Sequence, residues 1–357
     1  MTAASQAASE PEALPEALGP EEATGILAQI RGSSAFWIGI VVLALIIVFG
    51  LVTPNNAFVK PSNLLNIGLN ASQIMLLAVG MTFLIGAGHL DLSVGYNLIL
   101  ASVLGAKVMV TLGGTTEQVA AGEYPNLIPA VVLGVIVAIV AASLAGLLNG
   151  LLVTRLKLNS FIVTLATSGI FYGFALILTS AANIPFVPDA IQTYFGSNRL
   201  FGFLPLPLVV TLAVCAVMWV VMRTTRFGMR TLALGSSKES TIRAGIDVDR
   251  LTVRLFVLQG LMVGIAAGID LARNAGTNVV GHQSDNLQAI SAVVLGGTSL
   301  FGGIASIGGT LLGSLIPVMM ANGLVIMNVQ PFYQLVAVGI ILIIAVYLDQ
   351  RRRSRMS

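Results

Sequence analysis

Long apolar runs, separated by short polar connections, recur along nearly the whole 357-residue chain. A bilayer core of about 30 Å takes roughly 20 mostly apolar residues per helix. Runs of that kind fall near 36–53, 64–87, 92–112, 128–153, 159–182, 206–222, 252–275, 287–302, 304–326 and 332–348. The pattern predicts an all-α, polytopic membrane protein with about ten transmembrane helices. The run at 287–302 is the shortest and ends on Gly302 and Gly303, so a full crossing and a re-entrant hairpin both fit it.

The basic residues orient these spans, because cytoplasmic loops collect Lys and Arg. Arg155 and Lys157 lie in one short link. Arg223, Arg226, Arg230, Lys238, Arg243, Arg250 and Arg254 mark the longest connection, and Arg351, Arg352, Arg353 and Arg355 mark the C-terminal tail. Placing all three on one side requires even numbers of crossings between them, so 287–302 must cross and both termini face the cytoplasm. The opposite connections, 113–127 and 183–205, carry Glu117, Glu123 and Asp189 against Arg199.

Composition excludes a soluble enzyme. Only 9% of the residues are charged and 56% are apolar, whereas soluble proteins carry about 25% charged residues. Cys215 is the single cysteine, which excludes an internal disulfide or a cysteine metal cluster, and the two histidines leave little for a metal site. The bases flank apolar runs instead of forming one patch, so they indicate the lipid bilayer and not nucleic acid. Residues 1–35, rich in Ala, Glu and Pro, form an acidic tail expected to be disordered and cytoplasmic. Residues 36–348 form the membrane domain, with a cytoplasmic loop at 223–251, and 349–357 form a basic tail.

Small residues at four-residue spacing let membrane helices approach closely. Gly260, Gly264, Gly268, Ala272 and Gly276 make one such stripe; Ala138, Ala142, Gly146 and Gly150 make another. Both read as packing faces. Asn149-Gly150-Leu151 and Asn322-Gly323-Leu324 end two spans on opposite sides, the relation expected of inverted halves. Ionisable groups in a bilayer are functional candidates. Asp91 sits in the glycine-broken stretch 86–95, read either as a broken helix beside a transport path or as a turn in which Asp91 or Ser93 caps the third span. Asp270 and Arg273 are spaced to neutralise each other on one helix. Asn70, Gln73, Asp91, Ser93, Asn97, Asn149 and Thr298 are the polar candidates for a translocation path, with interhelical hydrogen bonding as the competing reading. No Gly-x-x-x-x-Gly-Lys-Ser/Thr occurs, so nucleotide hydrolysis falls to another subunit. In the 223–251 loop, Ser236 and Glu239 read as a capping box and Gly245 as the residue just past a helix end. The helix between them is too short to be stable alone.

At this loop the chain resembles the permease subunits of ATP-binding-cassette importers, in the branch that takes up ribose and other simple sugars. The resemblance runs in order through Gly80-Met81-Thr82, Asp91-Leu92-Ser93-Val94-Gly95, Leu148-Asn149-Gly150-Leu151-Leu152-Val153 and Phe161-Ile162-Val163-Thr164-Leu165. It continues through 233–250, Ala289-Ile290-Ser291-Ala292-Val293-Val294-Leu295-Gly296-Gly297-Thr298-Ser299-Leu300 and Asn322-Gly323-Leu324. It implies a prokaryotic plasma-membrane permease without catalytic residues, paired with a second copy or a paralogue. Two cytoplasmic ATPases would bind ATP and Mg, and an extracytoplasmic solute-binding protein would deliver a sugar or polyol. It also implies that Ser236, Ser237, Lys238, Glu239, Ser240, Thr241, Ile242, Arg243, Ala244 and Gly245 form the coupling helix seated on the ATPase. Three stretches depart from the family pattern: Gly88-His89-Leu90, the Ser237/Ser240/Thr241 set, and Asp285-Asn286. Branched-chain amino-acid permeases share the fold. The rivals of a different class are an ion-coupled secondary transporter using Asp91 and Asp270, and a membrane hydrolase using Asp91 and His89.

Overall fold

A computed structural model describes residues 34–330 and seven further positions, 332, 333, 336, 339, 340, 343 and 347. The tails at 1–33 and 349–357, and most of the expected tenth span at 332–348, lie outside the described residues. Helices form where the apolar runs predict them: α1 (Ser34–Val52), α2 (Pro61–Gly86), α3 (Val94–Gly113), α4 (Leu127–Arg155), α5 (Ser160–Thr179) and α6 (Leu206–Thr224). Two short helices follow, α7 (Arg226–Ser236) and α8 (Lys238–Arg243), then α9 (Val248–Asn274), α10 (Asp285–Leu295) and α11 (Ile307–Ile326). Seven of these, α2 to α6 with α9 and α11, are long and apolar enough to cross a membrane. The only β structure among the described residues is a two-residue antiparallel ladder, β1 (Arg199–Leu200) on β2 (Leu204–Pro205), in the 183–205 connection.

α2 and α9 are the most enclosed of the spans, at 83% and 78% buried, whereas α4 and α6 are only 28% and 22% buried and present leucines and valines outward as a lipid-facing helix should. The two predicted small-residue stripes face each other. A methyl group on Gly146 would collide with the Phe256 carbonyl, and one on Gly260 with the Ala142 carbonyl. Gly264 lies against Ile139 and Gly150 against Val253. Gly276 falls beyond the end of α9 and leaves the stripe.

The run at 287–302 is not one helix. α9 ends at Ala275, which is left-handed (φ +46°). The chain then turns back as irregular backbone along α3 and α5. Thr277 N–H donates to the Ile184 carbonyl, Val279 N–H donates to Asn183 Oδ1, and Gln283 Nε2 donates to the Tyr172 hydroxyl halfway down α5. α10 therefore starts inside the bundle, where the His282 carbonyl packs on Gly95, and has only 11 residues. Beyond it, residues 296–306 form turns that end against the last residue of α2, with Gly303 N–H donating to the Gly86 carbonyl at 2.9 Å. The segment thus travels from the α9 end of the bundle to the opposite end. Non-helical backbone at this depth is tolerable only where protein or a cavity satisfies it.

Candidate functional site

A cavity of about 320 Å³ opens between α2, α10 and α11, lined by Asn70, Gln73, Gly281, His282, Asp285, Gln288 and Asn322 with Ile74, Val318, Ala321 and Val325. One wall is polar and the other apolar. Amides, an imidazole and a carboxylate converge there, a composition suited to a neutral, polyhydroxylated solute. The broken segment explains the polarity. The irregular backbone at 281–282 and the first turn of α10 bring Gly281, His282, Asp285 and Gln288 to the cavity, and the Asp285 carboxylate lies in that first turn, at the positive end of the helix.

Behind the cavity the charged groups are linked. His282 Nδ1 lies 2.8 Å from Asp285 Oδ2, and its Nε2 lies 3.3 Å from Asp270 Oδ1. The first contact is a hydrogen bond; the second is close but poorly directed, which leaves His282 Nε2 and Asp270 Oδ2 without hydrogen-bond partners. Asp270 Oδ1 also accepts from Gln73 Nε2 at 2.8 Å and Asn274 Nδ2 at 2.7 Å. The expected Asp270–Arg273 ion pair does not form. Arg273 turns to Gln73 Oε1 (3.0 Å) and Asn70 Oδ1 (2.5 Å), so the Gln73 amide stands between the two charges and joins α2 to α9. Asp270 is 1% exposed, and a buried carboxylate of this kind depends on its partners.

The sequence-derived path residues divide into three places. Asn70 and Gln73 line the cavity. Asp91, Ser93 and Asn149 come together elsewhere: Asp91 Oδ1 accepts from the Ser93 N–H (2.8 Å) and hydroxyl (2.6 Å), and Asn149 Nδ2 donates to Ser93 Oγ (2.9 Å). Leu90 and Leu92 N–H groups donate to Ser160 and Thr164 of α5. The stretch 86–95 is thus a turn tied into helix packing, but neither Asp91 nor Ser93 caps α3 through its side chain, since Asp91 bonds Ser93 and not the first amides of the helix. Asn97 donates to the Ala142 carbonyl. Thr298 is buried in the turns after α10, where its hydroxyl accepts from Ser306 N–H. The residues that sequence reasoning missed are His282, Asp285 as a cavity residue, and Gln288. His282 and Asp285 fall in the polar stretch 276–286, which hydropathy assigns to an outer loop, and Gln288 falls just inside the 287–302 run.

At the other end, α8 is capped one residue later than expected. Ser236 still belongs to α7, its hydroxyl donating to the Leu232 carbonyl, and Ser237 Oγ accepts from Ser240 N–H. Glu239 is not a capping partner; it lies 3.7 Å from Arg243 on an exposed face. Gly245 has φ +76°, as its place after the helix requires. Gly235, at the end of α7, fits against the Gly86 carbonyl, Gly302 and Gly303 with no room for a Cβ. Gly302 (φ +84°) and Gly303 (φ +82°) take left-handed conformations at this contact. A second cavity of about 400 Å³ lies beside it, between Ser236–Lys238, His89 and Thr252. His89, on the turn beyond α2, contacts Thr252 at 3.3 Å. Burial, assisted by nearby Lys238, pushes its pKa down to about 4. Asp91 and His89 thus turn to different partners, and no group of metal ligands occurs among the described residues.

Comparison with known proteins identifies the family to which the chain belongs. The family described as branched-chain amino acid transport system / permease component matches residues 63–346. The ribose import permease of Bacillus subtilis is 38% identical over 86% of this chain and 90% of its own length. The D-allose transport system permease of Escherichia coli is 32% identical over 87% and 90%. The L-arabinose ABC transporter permease of Azospirillum brasilense is 32% identical over 95% and 94%. With a family match across most of its length and relatives aligned nearly end to end, the chain belongs to this family of multi-pass ABC-transporter permeases.

Proposed function

We propose that this chain is the membrane half of a prokaryotic ATP-driven importer for a neutral monosaccharide, working with a second permease copy or paralogue in the plasma membrane. The observation that carries the reading is the pairing of a polar mid-bundle cavity with a glycine junction at the far end of the same helices. α2, α10 and α11 line the cavity. The Gly86–Gly235–Gly302–Gly303 contact joins the end of α2, the turn between α10 and α11, and the end of α7, directly before α8. Displacement of α8 would reach the cavity walls through backbone contacts that have no slack.

In this mechanism, ATP and Mg bind to a separate cytoplasmic ATPase on which residues 236–245 rest. Closure of the ATPase pair moves α8, Gly235 carries the movement to α2 and α10, and the cavity opens alternately to either side. The amides, imidazole and carboxylate hydrogen-bond sugar hydroxyls briefly, and specificity resides largely in the solute-binding protein that delivers the sugar. The 183–205 connection offers that protein a surface, since Phe186, Tyr194, Phe201 and Phe203 are all exposed there. The sugar permeases among the relatives favour this solute class over branched-chain amino acids. The placement of Asn149-Gly150 and Asn322-Gly323 supports inverted halves. Asn149 bonds at the start of α3, and Asn322 exchanges hydrogen bonds with Asn63 near the start of α2.

The test is Gly235→Ala in permease reconstituted with its ATPase and binding protein. Sugar uptake is expected to fall at least about tenfold, with basal ATP hydrolysis retained and its stimulation by loaded binding protein lost. Overpacking of this kind typically costs about 1–3 kcal/mol. Gly173→Ala, where nothing lies within 4 Å of the added Cβ, should leave uptake intact. Unchanged coupled uptake by Gly235→Ala would contradict the transmission route.

A further inference from the structure

Where α4 ends and α9 begins, an open groove of about 650 Å³ carries four basic side chains, Arg155, Lys157, Arg250 and Arg254, against two acids, Asp247 and Asp249. A smaller groove continues it and adds Arg230. The acids are already engaged: Lys157 Nζ lies 2.7 Å from Asp249 Oδ2, and Arg250 Nε lies 3.0 Å from Asp247 Oδ2. Arg155, Arg230 and Arg254 have no acidic partner among the described residues, and Arg155 and Arg254 are exposed. Three positive charges are therefore left over in one groove.

The groove has an apolar continuation. Leu151 precedes Arg155 by one helical turn on α4, and Leu148 and Leu144 extend the same exposed stripe further along the helix, at 38%, 43% and 57% exposure. An unpaired basic cluster would equally suit a free anion or an acidic protein surface. A ladder of exposed leucines leading away from it along a membrane helix suits an amphiphile.

We propose that this groove is a binding site for an anionic phospholipid. Its phosphodiester headgroup sits between Arg155 and Arg254, with Arg230 and Arg250 at the rim, and an acyl chain lies along Leu151, Leu148 and Leu144. Basic pockets at the cytoplasmic ends of membrane helices take such headgroups. The site lies against the backbone that leads into α9, which links its occupancy to the α8–α9 junction.

The full-length permease, purified in mild detergent and returned to nanodiscs of phosphatidylcholine with or without phosphatidylglycerol, provides the test. Native mass spectrometry counts retained phosphatidylglycerol, and thermal melting reads the stabilisation it confers. Arg155→Gln with Arg254→Gln should weaken retention about thirtyfold, equivalent to about 2 kcal/mol. Arg199→Gln, in the 183–205 connection, should leave it unchanged. Inorganic phosphate, supplied at matched concentration to the phosphatidylcholine nanodiscs, should give no stabilisation. Retention unaffected by the double variant would overturn the proposal. So would full stabilisation by inorganic phosphate, which indicates a free-anion site. Loss of ATPase association with unchanged lipid retention would also overturn it, by identifying a protein-docking surface.

Discussion

α9 takes part in two contacts of opposite character. Along its middle, Gly260 and Gly264 lie on the backbone of α4, and the seam excludes everything larger than a hydrogen atom at those positions. At its C-terminal end, Asp270 and Arg273 reach Gln73, Asn70 and His282 beside an open cavity. The first region is apolar, made of small residues and bonded by close packing. The second is a buried polar network around a helix that begins halfway through the bundle. Under the proposed function, this close-packed seam would serve as a fixed frame and the segment around α10 as a wall that rearranges. In lipid, each region depends on a different substitution rule: size in one, partner satisfaction in the other.

The largest effect that separates them is expected at Asp270. Asp270→Ala removes one partner of a buried charged cluster, a change that typically costs about 3–5 kcal/mol, and it should abolish uptake even where folded protein is recovered. Thermal melting and uptake measured on the same preparation check both. Wild-type uptake by Asp270→Ala would exclude the network from the translocation path.

The next effect is confined to acid pH. The His89 pKa is held near 4, below its ordinary value, so between those two values the unfolded chain binds more protons than the folded one. The His89 contribution to stability therefore falls as pH drops from about 6.5 to about 4, by on the order of 3 kcal/mol, and is constant above that window. His89→Gln should remove this component, so that the difference in melting temperature between wild type and variant changes across the window, and it should leave uptake at neutral pH intact. A slope identical in wild type and variant would assign it to another group.

Gly260→Ala tests the seam. It should lower stability by about 1–3 kcal/mol, while the folded fraction keeps its KM for the sugar, because no cavity residue moves. A raised KM at unchanged stability would dissolve the distinction between frame and wall.

Much of the frame was legible in the sequence. The spans from 36–53 to 206–222 predict helices whose ends fall within a few residues of those observed, and both small-residue stripes read as packing faces. Hydrophobicity and residue size are local properties, and this half of the structure is built from them. The cavity was legible only through Asn70 and Gln73. His282 and Asp285 sit in a stretch whose polarity predicts an outer connection, and they meet Asp270 through a fold-back of irregular backbone that no periodicity encodes. Gln73 contacts Asp270 across 197 positions, so the local i,i+3 rule chose Arg273 instead. At the loop, Ser236 and Ser237 each precede a polar residue by three positions. Only the continuation of α7 through Ser236 decides between them.

The most direct measurement is uptake of radiolabelled ribose, allose or arabinose into proteoliposomes, with the permease alone under a proton or sodium gradient and then with its ATPase, binding protein and ATP. The account predicts no uptake in the first condition and ATP-dependent accumulation of a sugar in the second. Gradient-driven uptake by the permease alone, with no response to ATP in the complete system, would contradict it.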